Sequence, residues 1–252
     1  MGDYIIDLIP GREKIEQSVQ GPNRLGQFGG THDGRLFRWS QNGSVALSTG
    51  RLLQQAVVVS GHGLNLAVAA AAAVGAASVL LTNSTTAITV DQYAGGHLTI
   101  NDAGNDVGDG LIYLIKSHPA ESTGSGSVRI TLADDDPVVV ALTTNGQAGL
   151  RKHPCDEVIV NPTSPTGIIT GVSPMPVTAD FYFWQQVRGS CAVLINGTPL
   201  VGQLVTAGVS TAGSVDVHPL NSVDGSGQQQ VVGRVETVMG SGEFGGVYLS
   251  IE

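Results

Sequence analysis

Two acidic runs are the residues whose types and spacing come nearest to a chemical site. The first, residues 101–110, reads NDAGNDVGDG and offers carboxylate and amide oxygens, the hard ligands that Ca²⁺ prefers. It lacks the spacing and the closing Glu of an EF-hand. Asn, Asp and Gly at this density are also typical of a solvated hairpin loop. Asp102, Asp106 and Asp109 are therefore calcium candidates whose alternative is plain turn geometry.

The second run, Asp134–Asp136 followed by Pro137, places three like charges side by side. Because they repel one another, this run indicates an exposed turn, or a docking point for the arginines of a neighbouring subunit. A glycosidase would need two carboxylates about 5–10 Å apart in a cleft. Sugar clefts also supply aromatic platforms, and four aromatic residues are concentrated at 181–184. Strand alternation there predicts two rings in the core and two free for a partner.

No other pattern indicates catalysis. There is no P-loop, nucleophile elbow, zinc-protease motif or dinucleotide fingerprint. The histidines are dispersed, and three of them precede proline, a context typical of strand ends and turns. Cys155 and Cys191 lack zinc-site spacing; the alternatives are a single disulfide or two free, buried thiols, and we expect the thiols. We therefore expect a protein that is not an enzyme and that uses no cofactor and no resident metal.

Composition narrows the class of protein further. Charged residues make up 13% of the 252 residues, about half of the usual share, whereas glycine, at 35 residues, is about twice as frequent as usual. These figures exclude a coiled coil and a charged disordered tail. A net charge of −9 argues against a nucleic-acid partner. Arginine outnumbers lysine nine to three, a preference typical of interfaces.

Targeting and membrane signals are not found. The first residues lack the basic and apolar regions of a secretory signal. The uncharged, alanine-rich run 64–81 is long enough to imitate a membrane span, but it contains Asn65, Gly75 and Ser78 and has no flanking positive cluster. We interpret it as a buried segment whose type, helix or strand, the sequence leaves open, and we expect no membrane partner.

From about residue 52 the chain reads as short β-like runs, among them 138–142, separated by turn residues. Val128, Ile130 and Leu132 alternate with polar residues as a half-buried strand should. Asn196-Gly197 is a type I′ hairpin signal. No long amphipathic helix is found. The predicted fold class is all-β, with short antiparallel strands in sandwich-like or barrel-like modules.

The first 50 residues differ from the rest. Residues 1–51 carry a net charge of +1, whereas the other 201 carry −10. This segment has no sustained period, and it is rich in Gly and Pro yet too apolar for comfortable solvation. We expect an extended N-terminal arm, 1–50, docked on a partner or on its own domain. A β domain, 51–160, and a C-terminal β domain, 161–252, would follow, divided at the proline-rich stretch 161–176.

Several segments of the chain share a pattern of strands and turns rather than catalytic signatures. They are 91–102, 113–120, 138–142, 181–186, 189–194, 197–202, 232–236 and 247–249. The first three resemble structural proteins of tailed bacteriophages, which are encoded near the capsid gene, and the C-terminal segments are similar to head decoration, or cement, proteins. The resemblance covers about residues 55–252.

The resemblance implies a β-rich protein on the outside of an icosahedral head, where it bridges neighbouring capsomers. Its partners would be the major capsid protein and itself, as a homotrimer or homodimer. It would be made in the bacterial cytoplasm and located in the virion. The alternatives are a head-fibre or tail-associated adhesin that binds host glycans, and a glycan-active enzyme. The residues predicted to contact the capsid or a neighbouring subunit are Arg12, Lys14, Arg24, Arg35, Phe37, Arg38, Trp39, Tyr182 and Trp184.

Overall fold

The computed structural model describes residues 5–102, 108–122, 126–219 and 230–252 and is almost entirely β, which confirms the predicted fold class. A turn of 3₁₀ helix at Arg12–Lys14 follows the first strand. The strands of the described residues are β1 (Ile6–Asp7), β2 (Phe28–Gly30), β3 (Leu36–Gln41), β4 (Leu52–Gln54), β5 (Leu66–Ala70), β6 (Ser78–Thr82), β7 (His97–Asp102), β8 (Ile112–Ser117), β9 (Ser127–Leu132), β10 (Gln147–Arg151), β11 (Ile159–Val160), β12 (Ile169–Val172), β13 (Tyr182–Leu194), β14 (Leu204–Ala207), β15 (Val215–Val217), β16 (Gly233–Val235) and β17 (Phe244–Ser250).

The chain forms two compact units. Met1–Val57 and Pro154–Glu252 together form the first, called the sheet unit below, and Val58–His153 form the second, called the barrel unit. This division differs from the predicted boundaries at 50 and 160. Strand β3, from the predicted arm, pairs with β13 from the predicted C-terminal domain, and such pairing between distant segments leaves no local trace in the sequence.

The sheet unit is built around β13, the longest strand, with 13 residues. β13 pairs antiparallel with β3 on one side and with β17 on the other. Both faces of its first half are covered. Phe183 packs in a cluster with Leu53 and Val177, whereas its neighbour Trp184 packs with Phe37 and Trp39. Two-sided burial explains why residues 183–187 are all buried.

The barrel unit is a closed barrel with the strand order β10-β5-β6-β9-β8-β7. Its interior is filled by apolar side chains, among them Val128, Ile130 and Leu132, as their alternation predicts. The alanine-rich run, whose type was open, supplies β5 and β6. In the part of the chain that the structure describes, no helix is long and apolar enough to cross a membrane.

Two local predictions were wrong. The apolar run 138–142 is not a strand; Val138 and Leu142 are buried, and the segment makes separate backbone bonds to residues 72–76. Asn196-Gly197 does not close a hairpin. Gly197 has a positive φ of 75°, but Asn196 does not, and the Asn196 N–H donates to Val215 O at 2.8 Å. A tertiary partner thus overrides the local turn preference in both places.

Candidate functional site

The N-terminal residues 5–17, called the strap below, lie across the aromatic face of the sheet unit. β1 pairs in parallel with β2, and the Leu8 N–H donates to Gly30 O at 2.8 Å. Leu8 is buried, and it reaches the sheet because Gly29 has no side chain. A β-carbon there would lie 2.7 Å from Cδ1 of Leu8. The predicted arm therefore contacts its own chain over these residues.

An ion pair fixes the middle of the strap. Glu13 is buried, accepts a hydrogen bond from Gly11 N at 2.7 Å, and lies 3.4 Å from the guanidinium of Arg35. Arg35 also binds Asp33 at 2.8 Å. The hydrogen bond from the Thr31 hydroxyl, assisted by Arg35, lowers the pKa of Asp33 to about 2. The Asp33 carboxylate consequently stays ionised in mild acid, and Arg35 keeps this partner.

The far end of the strap is joined to β13 and its preceding turn. Gln17 and Tyr182 exchange backbone hydrogen bonds of 2.8 Å in both directions. The carboxylate of Glu16 accepts one bond from Thr178 N at 2.6 Å and another from the Thr178 hydroxyl at 2.9 Å. The strap is thus held at its beginning, middle and end.

A pocket of about 350 Å³, called the indole pocket below, lies between the strap and the sheet. Trp39 and Trp184, which are register partners on β3 and β13, contribute to its walls, with ring centroids 5.0 Å apart in an edge-to-face arrangement. Ile9, Ile15 and Arg12 of the strap line the remainder, together with Ile6, Asp7, Leu8, Gln17, Pro22 and Asn23. Within the described residues, the buried indole N–H of Trp39 has no hydrogen-bond partner.

The structure brings most of the predicted contact residues to this region. Some of them are exposed, some are engaged in contacts within the chain, and some are buried in the core. Arg12, Lys14 and Arg24 are exposed and form no ion pair among the described residues. Arg35 and Arg38 are engaged within the chain. Besides the contacts of Arg35 above, Arg38 lies 2.6 Å from Glu252 and 3.7 Å over the ring of Phe28.

The aromatic members of the prediction are mostly core. Phe37, Trp39 and Trp184 are buried, and Tyr182 is half-buried, where burial and Asp156 raise its pKa. The predicted division of 181–184 into two core rings and two free rings does not hold, because both faces of β13 are covered. The sequence analysis missed Leu8, Glu13 and Ile15. Each is a single apolar or acidic residue in a segment without periodicity, so no pattern marked it as part of a site.

The sheet unit has a second pocket, of about 310 Å³. It is lined by Asp33, Gly34, Arg35, Gly189, Ser190 and Tyr248. The Tyr248 ring is exposed, and the Ser190 hydroxyl donates to Glu236 at 2.9 Å. An exposed ring beside a carboxylate, a guanidinium and a hydroxyl is chemistry suited to a polar ring such as a sugar.

The calcium candidates gain no support. Asp106 lies outside the described residues, and Asp102 and Asp109 lie at the ends of the gap around it. Among the residues that the structure describes, no three His, Cys, Asp or Glu side chains gather as a metal site. Cys155 and Cys191 are not joined in a disulfide, as predicted, and burial raises the pKa of both thiols, that of Cys191 to about 12. Such thiols are poor nucleophiles.

The barrel unit contains a buried hydrogen-bond network of two histidines and a tyrosine. The Tyr93 hydroxyl lies 2.6 Å from Nδ1 of His62, whose Nε2 lies 3.0 Å from Thr86 O. The carbonyl makes Nε2 the donor, so Nδ1 accepts from the tyrosine. His118 Nε2 accepts from Tyr93 N at 3.0 Å, and its Nδ1 faces Pro119 O at 3.0 Å. Each ring thus has both nitrogens occupied.

We expect Tyr93→Phe to destabilise the barrel unit by about 1–3 kcal/mol, because His62 Nδ1 is left buried without its donor. Urea unfolding followed by circular dichroism measures the change. Tyr248→Phe, which removes an exposed hydroxyl instead, should unfold like the unchanged protein. Equal stability of the two variants would show that the network contributes nothing.

Comparisons with protein-family models, with curated proteins and with solved structures find no match to this chain.

Proposed function

We propose that this chain is a structural protein of a tailed-phage virion, a decoration protein that binds the outer surface of an icosahedral head and stabilises contacts between capsomers. The observation that carries the proposal is a pair of exposed apolar side chains on one strand of the closed barrel. On β8, Ile112 is 58% exposed and Leu114 is 41% exposed. The residues that alternate with them, Tyr113 and Ile115, are buried in the barrel core. β8 therefore leaves two apolar side chains, those of Ile112 and Leu114, in water.

Other exposed apolar residues agree with this assignment. Leu200 and Val201 are adjacent in one turn of the sheet unit, and both are exposed. Contiguous apolar patches on an otherwise soluble protein mark interaction sites more often than single exposed residues do. The low charge content also supports a binding role, since interface centres are depleted in charged residues. A cementing role also needs no catalytic group.

The test is co-sedimentation with expanded heads assembled from the major capsid protein of the same phage. We expect the protein to pellet with heads and to raise the temperature at which they rupture. Ile112→Ser combined with Leu114→Ser should abolish pelleting, whereas Val45→Ser, at an exposed position in the sheet unit, should not. Deletion of 1–50 would be uninformative, because it removes β2 and β3 from the sheet.

A protein that stays in the supernatant at saturating concentration contradicts the decoration role. The alternative, an adhesin for host glycans, then becomes the leading proposal, and the pocket at Tyr248 supports it. Under that alternative the soluble protein binds host cells, Tyr248→Ala abolishes binding, and Ile112→Ser leaves binding unchanged. The two outcomes separate the two functions in one set of variants.

A further inference from the structure

The strap and its neighbourhood carry an uncovered surface of their own. Arg12, Lys14 and Arg24 are exposed and have no acidic partner among the described residues, in a chain whose net charge is −9. On the same strap, Ile9 is 64% exposed, and Ile15, which also lines the indole pocket, is exposed. These five residues and the pocket are called the cationic face below. A partner for it must combine negative charge with an apolar side chain.

The barrel unit presents that combination in residues 134–139, called the acidic loop below. Asp134 and Asp135 are exposed, and Val139 is 55% exposed. The loop is held rigidly, since Asp136 Oδ2 accepts from Leu114 N at 2.6 Å and Val139 N donates to the Tyr113 hydroxyl at 3.2 Å. A surface ordered before binding loses less conformational entropy on association.

We propose that the cationic face of one copy of this chain binds the acidic loop of a second copy. The cations of the face pair with Asp134 and Asp135, and Val139 enters the indole pocket. The pocket's volume of about 350 Å³ accommodates an aliphatic side chain and part of its backbone. The exposed ammonium of Lys116 lies 2.7 Å from the Asp134 carboxylate. Asp135 is therefore the carboxylate of this loop that is most open to a partner.

Charge complementarity favours a second copy as the occupant. The first 51 residues carry +1 and the rest of the chain carries −10, so the acid that the face requires is abundant on every copy. Because two different surfaces meet, the contact can be exchanged reciprocally within a symmetric dimer or repeated head-to-tail from copy to copy. Oppositely charged faces also accelerate association and make it sensitive to salt.

Sedimentation of the purified full chain, without heads, tests the contact. We expect the unchanged protein to self-associate in low salt and to dissociate in high salt. A face variant (Arg12→Glu, Lys14→Glu, Arg24→Glu) and a loop variant (Asp134→Arg, Asp135→Arg) should each lose association at least tenfold. An equimolar mixture of the two variants should associate again, because the reversed charges complement each other.

The matched control reverses three exposed arginines elsewhere, Arg129→Glu, Arg188→Glu and Arg234→Glu, and should associate like the unchanged protein. The proposal is overturned if the unchanged protein is monomeric in low salt, if the variants associate normally, if the mixture is not rescued, or if the control also fails to associate. Head binding is measured separately, so failure here is distinct from failure of the decoration role.

Discussion

Replacement of Gly29 by valine is expected to detach the strap from the sheet. A β-carbon at this position would lie 2.7 Å from Cδ1 of Leu8 and 3.0 Å from Cζ3 of Trp184. Trp184 is fixed in β13, so the leucine side chain must leave its buried site. Loss of a buried leucine costs about 2–5 kcal/mol. Because cleavage follows the population of the open form, trypsin should cut at Arg12 and Lys14 at least about tenfold faster.

Two companion variants make the G29V result specific. Gly30→Ala places its β-carbon 3.2 Å from Cγ2 of the exposed Ile5, which can move aside, so digestion should change little. Leu8→Ala in the Gly29→Val chain removes the clashing atoms, and the two substitutions together should cost less than the sum of each alone. Unchanged digestion of Gly29→Val would mean that Leu8 does not anchor the strap.

Alanine at Gly96 is expected to unfold the barrel unit at a lower denaturant concentration than the sheet unit. The new β-carbon would lie 2.1 Å from Arg151 O and 3.0 Å from both Lys152 Cα and Tyr93 O. All three atoms belong to the backbone, so the clash cannot be relieved by a rotamer change. Overpacking usually costs about 1–3 kcal/mol, and this site should reach at least the upper end of that range.

The two tryptophans allow the units to be followed separately. Trp39 and Trp184 both belong to the sheet unit, so their fluorescence follows that unit, whereas circular dichroism follows both units. For Gly96→Ala we expect a dichroism transition that precedes the fluorescence transition. Gly95→Asn is the control, because that position has open space around it and a φ of 74°, which asparagine tolerates. Unshifted curves for Gly96→Ala would contradict the clash.

Local patterning predicted what depends on neighbours along the chain. The alternation of Val128, Ile130 and Leu132 identified β9, and the short apolar runs identified the all-β class. Periodicity failed where burial was two-sided, as at Phe183 and Trp184 in β13. A strand with one solvated face alternates apolar and polar residues, whereas a strand covered on both faces shows no such alternation.

The candidate site shows the same limit. Arg12, Arg35, Trp39 and Trp184 were identified by residue type, and the structure gathers them in one region. Which of them are available to a partner depends on tertiary contacts. Glu13 neutralises Arg35, and no local spacing relates two residues that lie 22 positions apart with strand β2 between them. The role of Gly29 beneath Leu8 is equally non-local.

The sequence of the barrel unit interrupts that of the sheet unit, and this order has a consequence during synthesis. Strands β3 and β4 leave the ribosome early, yet their partners β11–β13 follow only after the barrel residues 58–153 have been made. At about 5–20 residues per second, this interval lasts on the order of 5–20 s. The barrel can close during that time, while the apolar strands that precede it in the sequence remain without these partners. Nascent chains of this protein therefore pass through a stage at which half of a sheet is exposed, and chaperone demand should peak there.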